Sequence, residues 1–508
     1  MIMKKIFASI MIICLLASVI CITSFAAEGA VIRVSGLKEN GETVEIENGD
    51  FKDFAEGWEA AVDYACGDDF MHQNDIFRIV VDFYADWNAN TDGEFGNSSW
   101  TGFQYSTIYV PEDVRIAINL NGHTINRGLK NWEYDGEVIY IDNNADVVIN
   151  GGKNKDAIIK PDEDPGDIKT GAVTGGFSCN GAGGIHMQGG SKLTLNNVNI
   201  VGNSVDDDDG AGIAVYNGAS LIMNGGCVSN NVSYDDVYGG GVYIDEGSAS
   251  FTAVTFENNH GFERSTHGMA VYVDDGTLTM EGCKIIGNGL AGANDSDKRW
   301  GAYSVISILN GSKVTIRDTK ISENGYAQEA HVSHNTFKYT SVISSKASYL
   351  TIENCDFYDN DQVYLIESEA TIFKAFNSDF SENRSFAFYG NCAKGFNSAF
   401  TNCKFSYSEP MMNLDDTFFF NTADAALSFI DCELGDAVFN NKKAAQFIDT
   451  DALNGTGSIF GEGTLAMIVA LLALIASAVS ICMTIVYSKK KTAPVTADNT
   501  AKNKTEDE

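Results

Sequence analysis

The sequence predicts an all-β fold, a single-stranded parallel β-helix, and three observations predict it. The first is a phrase that recurs seven times between Leu193 and Asn383: apolar, x, apolar, x, x, small, x, Ile/Val/Phe, x, x, Asn. Its closing residues are Asn203, Asn231, Asn259, Asn288, Asn324, Asn360 and Asn383, at intervals of 28, 28, 29, 36, 36 and 23. Self-similarity at such a period marks stacked units, each burying its apolar face only against its neighbours. The second is the alternation inside the phrase, as in Leu193 and Leu195, Leu221 and Met223, or Val314 and Ile316. A period of two is that of a strand. The third is composition: 50 Gly against 5 Pro. Every strand of a solenoid needs its N–H for the coil beside it, which disfavours Pro, while Gly serves the corners.

The elements follow in chain order. Lys4 and Lys5, an apolar run from Ile6 to Ile22 and small residues at Ala26 and Ala27 read as a secretory signal over 1–27. Residues 28–75 read as an N-terminal cap. Phe51, Phe54, Trp58, Ala61, Val62 and Ala65 share one helical face, so the expectation is a capping helix over Asp50–Cys66 with Asp50 as its N-cap. Strands are expected at 77–84, 107–110 and 115–118, and a further coil at 137–150. From about 76 to 450, at roughly 29 residues per coil, there is room for about 12–13 coils, or about 60 Å of rod. Asn454 to Gly463 closes a short linker (451–463). Thr464 to Tyr487 carries no charge and is long enough to cross a bilayer as a helix. Lys489, Lys490 and Lys491 follow it, which orients the tail (488–508) to the cytoplasm. The expected localisation is therefore the cell membrane, single-pass, with the ectodomain at the cell surface.

Three short runs in each repeat, with no helical stretch between them, exclude leucine-rich and propeller repeats. The phrase resembles the short repeats of chlamydial polymorphic outer-membrane proteins, a Gly-Gly-(Ala/Ile) turn plus Phe-x-x-Asn. Here these read Gly183-Gly184-Ile185, Gly240-Gly241-Val242, Phe256 to Asn259, Phe357 to Asn360 and Phe380 to Asn383. More broadly, residues from about 180 to 440 look like the pectate-lyase-like proteins of bacterial surfaces. That resemblance implies a right-handed helix. It implies less about activity. The chlamydial proteins end in a membrane β-barrel and this chain in one apolar segment, so their secretion route does not carry over.

The chain carries a net charge of −35; setting aside +2 in the leader and +1 in the tail leaves −38 on Glu28 to Gly463. Such a body repels nucleic acid and anionic lipid. Eight of the eleven Cys lie outside the two apolar terminal segments. Cys283, Cys355, Cys403 and Cys432 take the small slot of the phrase, which Val198, Gly226, Val254, Thr319 and Ser378 also fill. A slot open to all of these is a packing position. Cys283 and Cys355 stand two coils apart, beyond disulfide reach. Cys403 and Cys432 stand in adjacent coils and could pair, with buried free thiols the expected state.

The loop after each Asn is where the repeat varies, and one loop per coil puts these loops on one edge. The candidate binding residues there are Asp206, Asp207, Asp208, Asp209, Asp235, Asp236, Arg264, His267, Asp295, Asp297 and Arg299. As a resemblance, pectate-lyase-like enzymes set calcium-binding Asp beside a basic catalytic residue. No lyase or polygalacturonase motif matches, so no catalytic residue is assigned, no cofactor is required, and Ca²⁺ is the one ion the Asp residues could hold. Glu329, His331 and His334 have loosely metal-like spacing. Trp87, Trp100, Phe103, Tyr105, Trp132 and Tyr134 either pack the cap or stack on sugars. The expected function is adhesion, a membrane-anchored surface rod binding an extracellular glycan or protein. The alternative is a polysaccharide lyase or glycoside hydrolase working on the same edge.

Overall fold

The computed structural model describes residues 28–89, 108–129, 136–152, 170–179, 181–234, 238–261, 267–290, 304–326, 341–361, 364–383, 385–393, 396–405, 427–434 and 445–449. The expected signal, linker, membrane segment and tail lie outside them. Among the described residues no helix is long and apolar enough to cross a membrane.

The winding is visible in one coil. Ile185–Met187 forms a first run. Lys192–Val201 follows and bends at Asn197, whose φ is +50°. Ser204–Val205 is a two-residue run, and a loop then returns the chain to the next first run, Ile213–Tyr216. Each run pairs in parallel with its equivalent one coil away: Ile185 with Ile213, Leu193 with Leu221, Ser204 with Val232. Repetition builds a front sheet from the first runs, a bent sheet from the second, and a narrow sheet of six two-residue strands, from Phe177–Ser178 to Gly325–Tyr326.

Thirteen rungs of the bent sheet can be followed among the described residues, from Arg78–Phe83 through Lys192–Val201 to Ala445–Ile448. At about 4.8 Å per rung that is a rod of about 60 Å. Inward positions form apolar files that are almost wholly buried, such as Ile116, Val147, Leu193, Leu221 and Ala249. Toward the C-terminal end the core becomes aromatic, with Phe357, Phe380 and Phe405 stacked at centroid separations of 4.7 and 5.3 Å.

The seven phrase-closing asparagines stand in one file inside the rod. All are 0–2% exposed. From Asn203 to Asn360 each Nδ2 donates to the Oδ1 of the next at 2.9–3.1 Å, and each backbone N–H donates to the same oxygen at 3.0–3.2 Å. The second Nδ2 proton goes to a main-chain carbonyl, as from Asn231 to Ile200 and from Asn259 to Val228. A buried amide with every group paired is the condition under which such a residue stabilises a core rather than disrupting it. Two outer amide ladders accompany the file. One runs Asp82, Asn119, Asn150, Asn196, Asn224 at 2.7–3.0 Å, the other Asp318, Asn354, Asn377, Asn402 at 2.8–3.3 Å. Each begins with an Asp, which accepts and has nothing to donate.

The N-terminal cap differs from the expectation in two ways. Its outermost element is an antiparallel hairpin, Ile32–Leu37 with Thr43–Phe51, and the first hairpin strand lies antiparallel on Arg78–Phe83. That pairing covers the free edge of the first rung. The helix starts one turn later than expected, at Phe54–Cys66. Asp50 is not its N-cap; it stays in the hairpin opposite Arg33, 3.6 Å from the guanidinium. Asp53 caps instead, accepting from Ala55 N at 2.8 Å and Glu56 N at 3.0 Å. The helix buries Phe54, Gly57, Trp58 and Ala61. Trp87 is fully buried and stacks on Phe54 at 5.2 Å, so it packs the cap.

Candidate binding face

The outward side of the front sheet carries a file set by the same register as the core. In successive rungs its central position reads Tyr109, Tyr140, His186, Ala214, Tyr243, Tyr272, Ser307, Ser344, Glu367 and Tyr389. Where Ala214 interrupts the rings, Tyr216 from the same strand fills the gap. It lies 5.1 Å from His186 and 5.4 Å from Tyr243, by ring centroid. Tyr140 to His186 is 4.9 Å and Tyr243 to Tyr272 is 5.3 Å, both stacked. The rings therefore cover one another's faces, and the hydroxyls of Tyr109, Tyr216 and Tyr243 reach the carboxylates of Asp142, Asp208 and Asp209. Tyr243 and Tyr272 are 9% and 5% exposed.

A second file runs beside it, at the corner where each loop rejoins the front sheet. Gly210, Gly239 and Gly268 hold that corner with φ of +77°, +72° and +69°, a conformation glycine adopts without strain. The residues just before them are Asp209, Tyr238 and His267. Gly210 N donates to Tyr238 O, and Gly239 N to His267 O, both at 2.9 Å, which locks the file in step with the rungs.

The four consecutive aspartates are not equivalent, as a uniform acidic edge would require. Asp206 is buried and extends the narrow sheet, its N–H donating to Ser178 O at 2.9 Å. Asp207 faces solvent with φ +64°. Asp208 Oδ1 accepts from Asp209 N at 2.7 Å and from the Tyr216 hydroxyl at 3.4 Å. Asp209 Oδ1 accepts from Tyr238 N at 2.7 Å, and the Tyr243 hydroxyl also reaches its carboxylate. Burial, reinforced by the Asp208 and Asp245 charges, pushes the Asp209 carboxyl up to about 6. The hydroxyls of Tyr216, Tyr243 and Tyr272 are all held well above the usual phenol range, by burial first and by neighbouring carboxylates second. Asp245 and Asp274 continue the acid row beside the rings, in register with Tyr216.

His267 is not in a loop; it opens the strand His267–Asp274, 5.8 Å from the Tyr238 ring. Burial lowers both His267 and His186 to about 4, so both imidazoles are neutral near pH 7. Further along the front file, Glu367 is raised to about 7 by burial while accepting from Ser341. The structure thus brings Asp208, Asp209 and His267 together with four tyrosines (Tyr216, Tyr238, Tyr243 and Tyr272) that the loop reading did not single out. Their signal was partly present: Tyr243 and Tyr272 alternate with apolar neighbours in Val242–Asp245 and His267–Asp274, and Tyr216 closes Ile213–Tyr216. Asp235, Asp236, Arg264, Asp295, Asp297 and Arg299 lie outside the described residues, as do Glu329, His331, His334, Trp100, Phe103, Tyr105, Trp132 and Tyr134. Among the described residues no group of three or more His, Cys, Asp or Glu is placed to hold a metal ion.

Comparison with known families matches residues 90–303 to the right-handed β-helix region. No curated protein and no solved structure matches the chain. With the parallel rungs, the match makes this fold a right-handed parallel β-helix.

Proposed function

We propose that this β-helix is a surface-display rod that binds an extended glycan along its front sheet. One observation carries the reading: a file of stacked rings flanked by carboxylates, from Tyr109 to Tyr272, that runs across successive rungs parallel to the rod axis. A linear polymer lying along it meets a ring or a carboxylate at each rung. Tyrosine hydroxyls and carboxylates are suited to sugar hydroxyls, and Tyr238, 36% exposed, offers a ring face at the margin. The acid row of Asp208, Asp209, Asp245 and Asp274, on a body of −38, selects against polyuronates and for neutral or amino-sugar chains. The apolar segment Thr464 to Tyr487 and the lysines after it support anchoring of the rod at a cell membrane.

A second reading, a glycoside hydrolase or lyase on the same face, draws on Asp209. A carboxyl raised to about 6 beside a tyrosine is the kind of group that donates a proton in catalysis. A glycan-array screen of the full chain in detergent separates the two. Binding expects retention of neutral or amino-sugar polymers, weakened about tenfold by Tyr238→Ala. Release of reducing or unsaturated ends, lost in Asp209→Asn, would replace binding by catalysis. Absence of both would remove the front sheet from consideration.

A further inference from the structure

The small slot of the repeat is a polar ladder, and in one place it sets two sulfurs side by side. Cys283 N donates to Thr319 Oγ1 at 3.3 Å on the next rung, and Cys355 N to Ser378 Oγ at 3.1 Å. Those two thiols face hydroxyl side chains. Cys403 faces Cys432. The pairing Ser398 to Leu427 through Thr401 to Ile430, continued by the bridge between Lys404 and Glu433, brings the cysteines level on adjacent rungs. Glu433 N donates to Cys403 O at 2.9 Å. Asn402 and Asp431, at φ +51° and +52°, turn both side chains the same way. Cys432 Sγ reaches back across the rung to within 3.5 Å of Phe400 O, while Cys403 Sγ lies 3.4 Å from Thr401 O. Both are free thiols, each within hydrogen-bonding reach of the other. Adjacent parallel strands lie about 4.8 Å apart, inside the Cα span of a disulfide.

We propose that Cys403 and Cys432 are a redox pair that closes into a disulfide across two rungs when the folded chain meets an external disulfide. Their roles are unequal. Cys403 is 1% exposed, whereas Cys432 is half-buried and open to attack an oxidant. The neighbouring thiol also lowers Cys432 and raises Cys403, in the same sense as their exposure. Cys432 attacks one sulfur of the external disulfide, and one external thiol leaves, taking a proton. Cys403 then loses its proton and attacks Cys432 Sγ, releasing the second external thiol. Two thiols and one disulfide give one disulfide and two thiols. The bond staples Ser398–Thr401 to Leu427–Ile430, next to the last described rung.

The test uses the full-length chain, reduced and then exposed to oxidised glutathione. After acid quenching it is denatured, alkylated and mapped without reduction. The expected result is a loss of two alkylatable thiols and one cross-linked peptide pair joining Cys403 to Cys432, with Cys283 and Cys355 alkylated. In Cys403→Ser, glutathione should remain on Cys432; in Cys432→Ser, Cys403 should stay alkylatable. Full alkylation of both cysteines in the wild type, a stable glutathione adduct there, or a link to any other cysteine overturns the proposal. The wild-type map decides even if a variant does not fold.

Discussion

Asn259→Ala is the sharpest probe of what holds the rod together. The Asn259 carboxamide makes four hydrogen bonds at zero exposure. It donates to Val228 O and Asn288 Oδ1, both at 2.9 Å, and accepts from Asn231 N at 3.2 Å and Asn231 Nδ2 at 3.0 Å. Alanine leaves two Asn231 N–H groups facing a dry gap, each costing about 1–3 kcal/mol. The Val228 carbonyl loses a donor as well, so the expected loss is about 3–5 kcal/mol. The outer ladder supplies the control. Asn196 donates to Asn150 at 2.9 Å and accepts from Asn224 at 3.0 Å, but it and Asn224 are only partly buried, so water can take its place on the Asn224 amide. Asn196→Ala should therefore cost less than about 1 kcal/mol. Urea denaturation followed by far-UV circular dichroism measures both. Because repeat stability is a sum of local terms, hydrogen exchange should speed up most at the rungs around Asn231 and Asn288. An Asn259→Ala variant no less stable than Asn196→Ala would refute the claim that the buried amide file is the internal spine.

Asp209→Asn tests the acid pocket through pH. Burial raises the folded carboxyl to about 6 from 3.8, so its stabilising contribution is complete below about pH 4 and is lost as pH rises through 6. The variant should match the wild type at acid pH and exceed it at about pH 7.5 by about 1–2 kcal/mol, after allowance for partial solvation, in paired denaturation curves. Gly239→Ala forces φ +72° on an L residue and brings its Cβ to 2.7 Å from Val242 O. A loss of about 1–3 kcal/mol is expected in the same assay, with the Asp209 to His267 corner exchanging first. Asp53→Ala removes the acceptor for the backbone N–H groups of Ala55 and Glu56 at the helix start. It should cost about 1 kcal/mol, read as faster exchange over Phe54–Cys66 with the distant rungs unchanged.

The fold was legible because its logic is periodic. The asparagine spacing located the internal file, the alternation located the core, and chain length gave the rung number, since each coil repeats one chemical sentence. The cap was less legible. The stretch Ile32 to Phe51 has an Asn40-Gly41 turn between alternating residues, a hairpin signal that the polar second strand makes weak. The late start of the helix turned on a choice between Asp50 and Asp53. Asp50 is held by the hairpin and Arg33, a tertiary constraint that no local helix signal contains. In the candidate face, Asp206 to Asp209 look alike as letters. Which one is buried, which points out and which two turn back depends on the next rung's Tyr238 and on Tyr216 and Tyr243, partners that sequence distance hides.

Those partners are also why the face is more than a by-product of stacking. Core files need only apolar side chains inward, and the other side of a front-sheet strand does not need rings, since Ser307 and Ser344 hold the same register position further along. From Tyr109 to Tyr272 the outward positions instead carry rings that desolvate one another and hold their hydroxyls against carboxylates. Raising Asp209 and burying neutral imidazoles cost folding free energy, and the asparagine file and the apolar core meet the needs of stacking without them. A destabilising polar arrangement, confined to one side of a rod that does not require it, is where a binding role has the most to explain. If substituting Tyr243 and Asp209 together stabilised the rod while leaving glycan retention intact, that asymmetry would have no functional meaning.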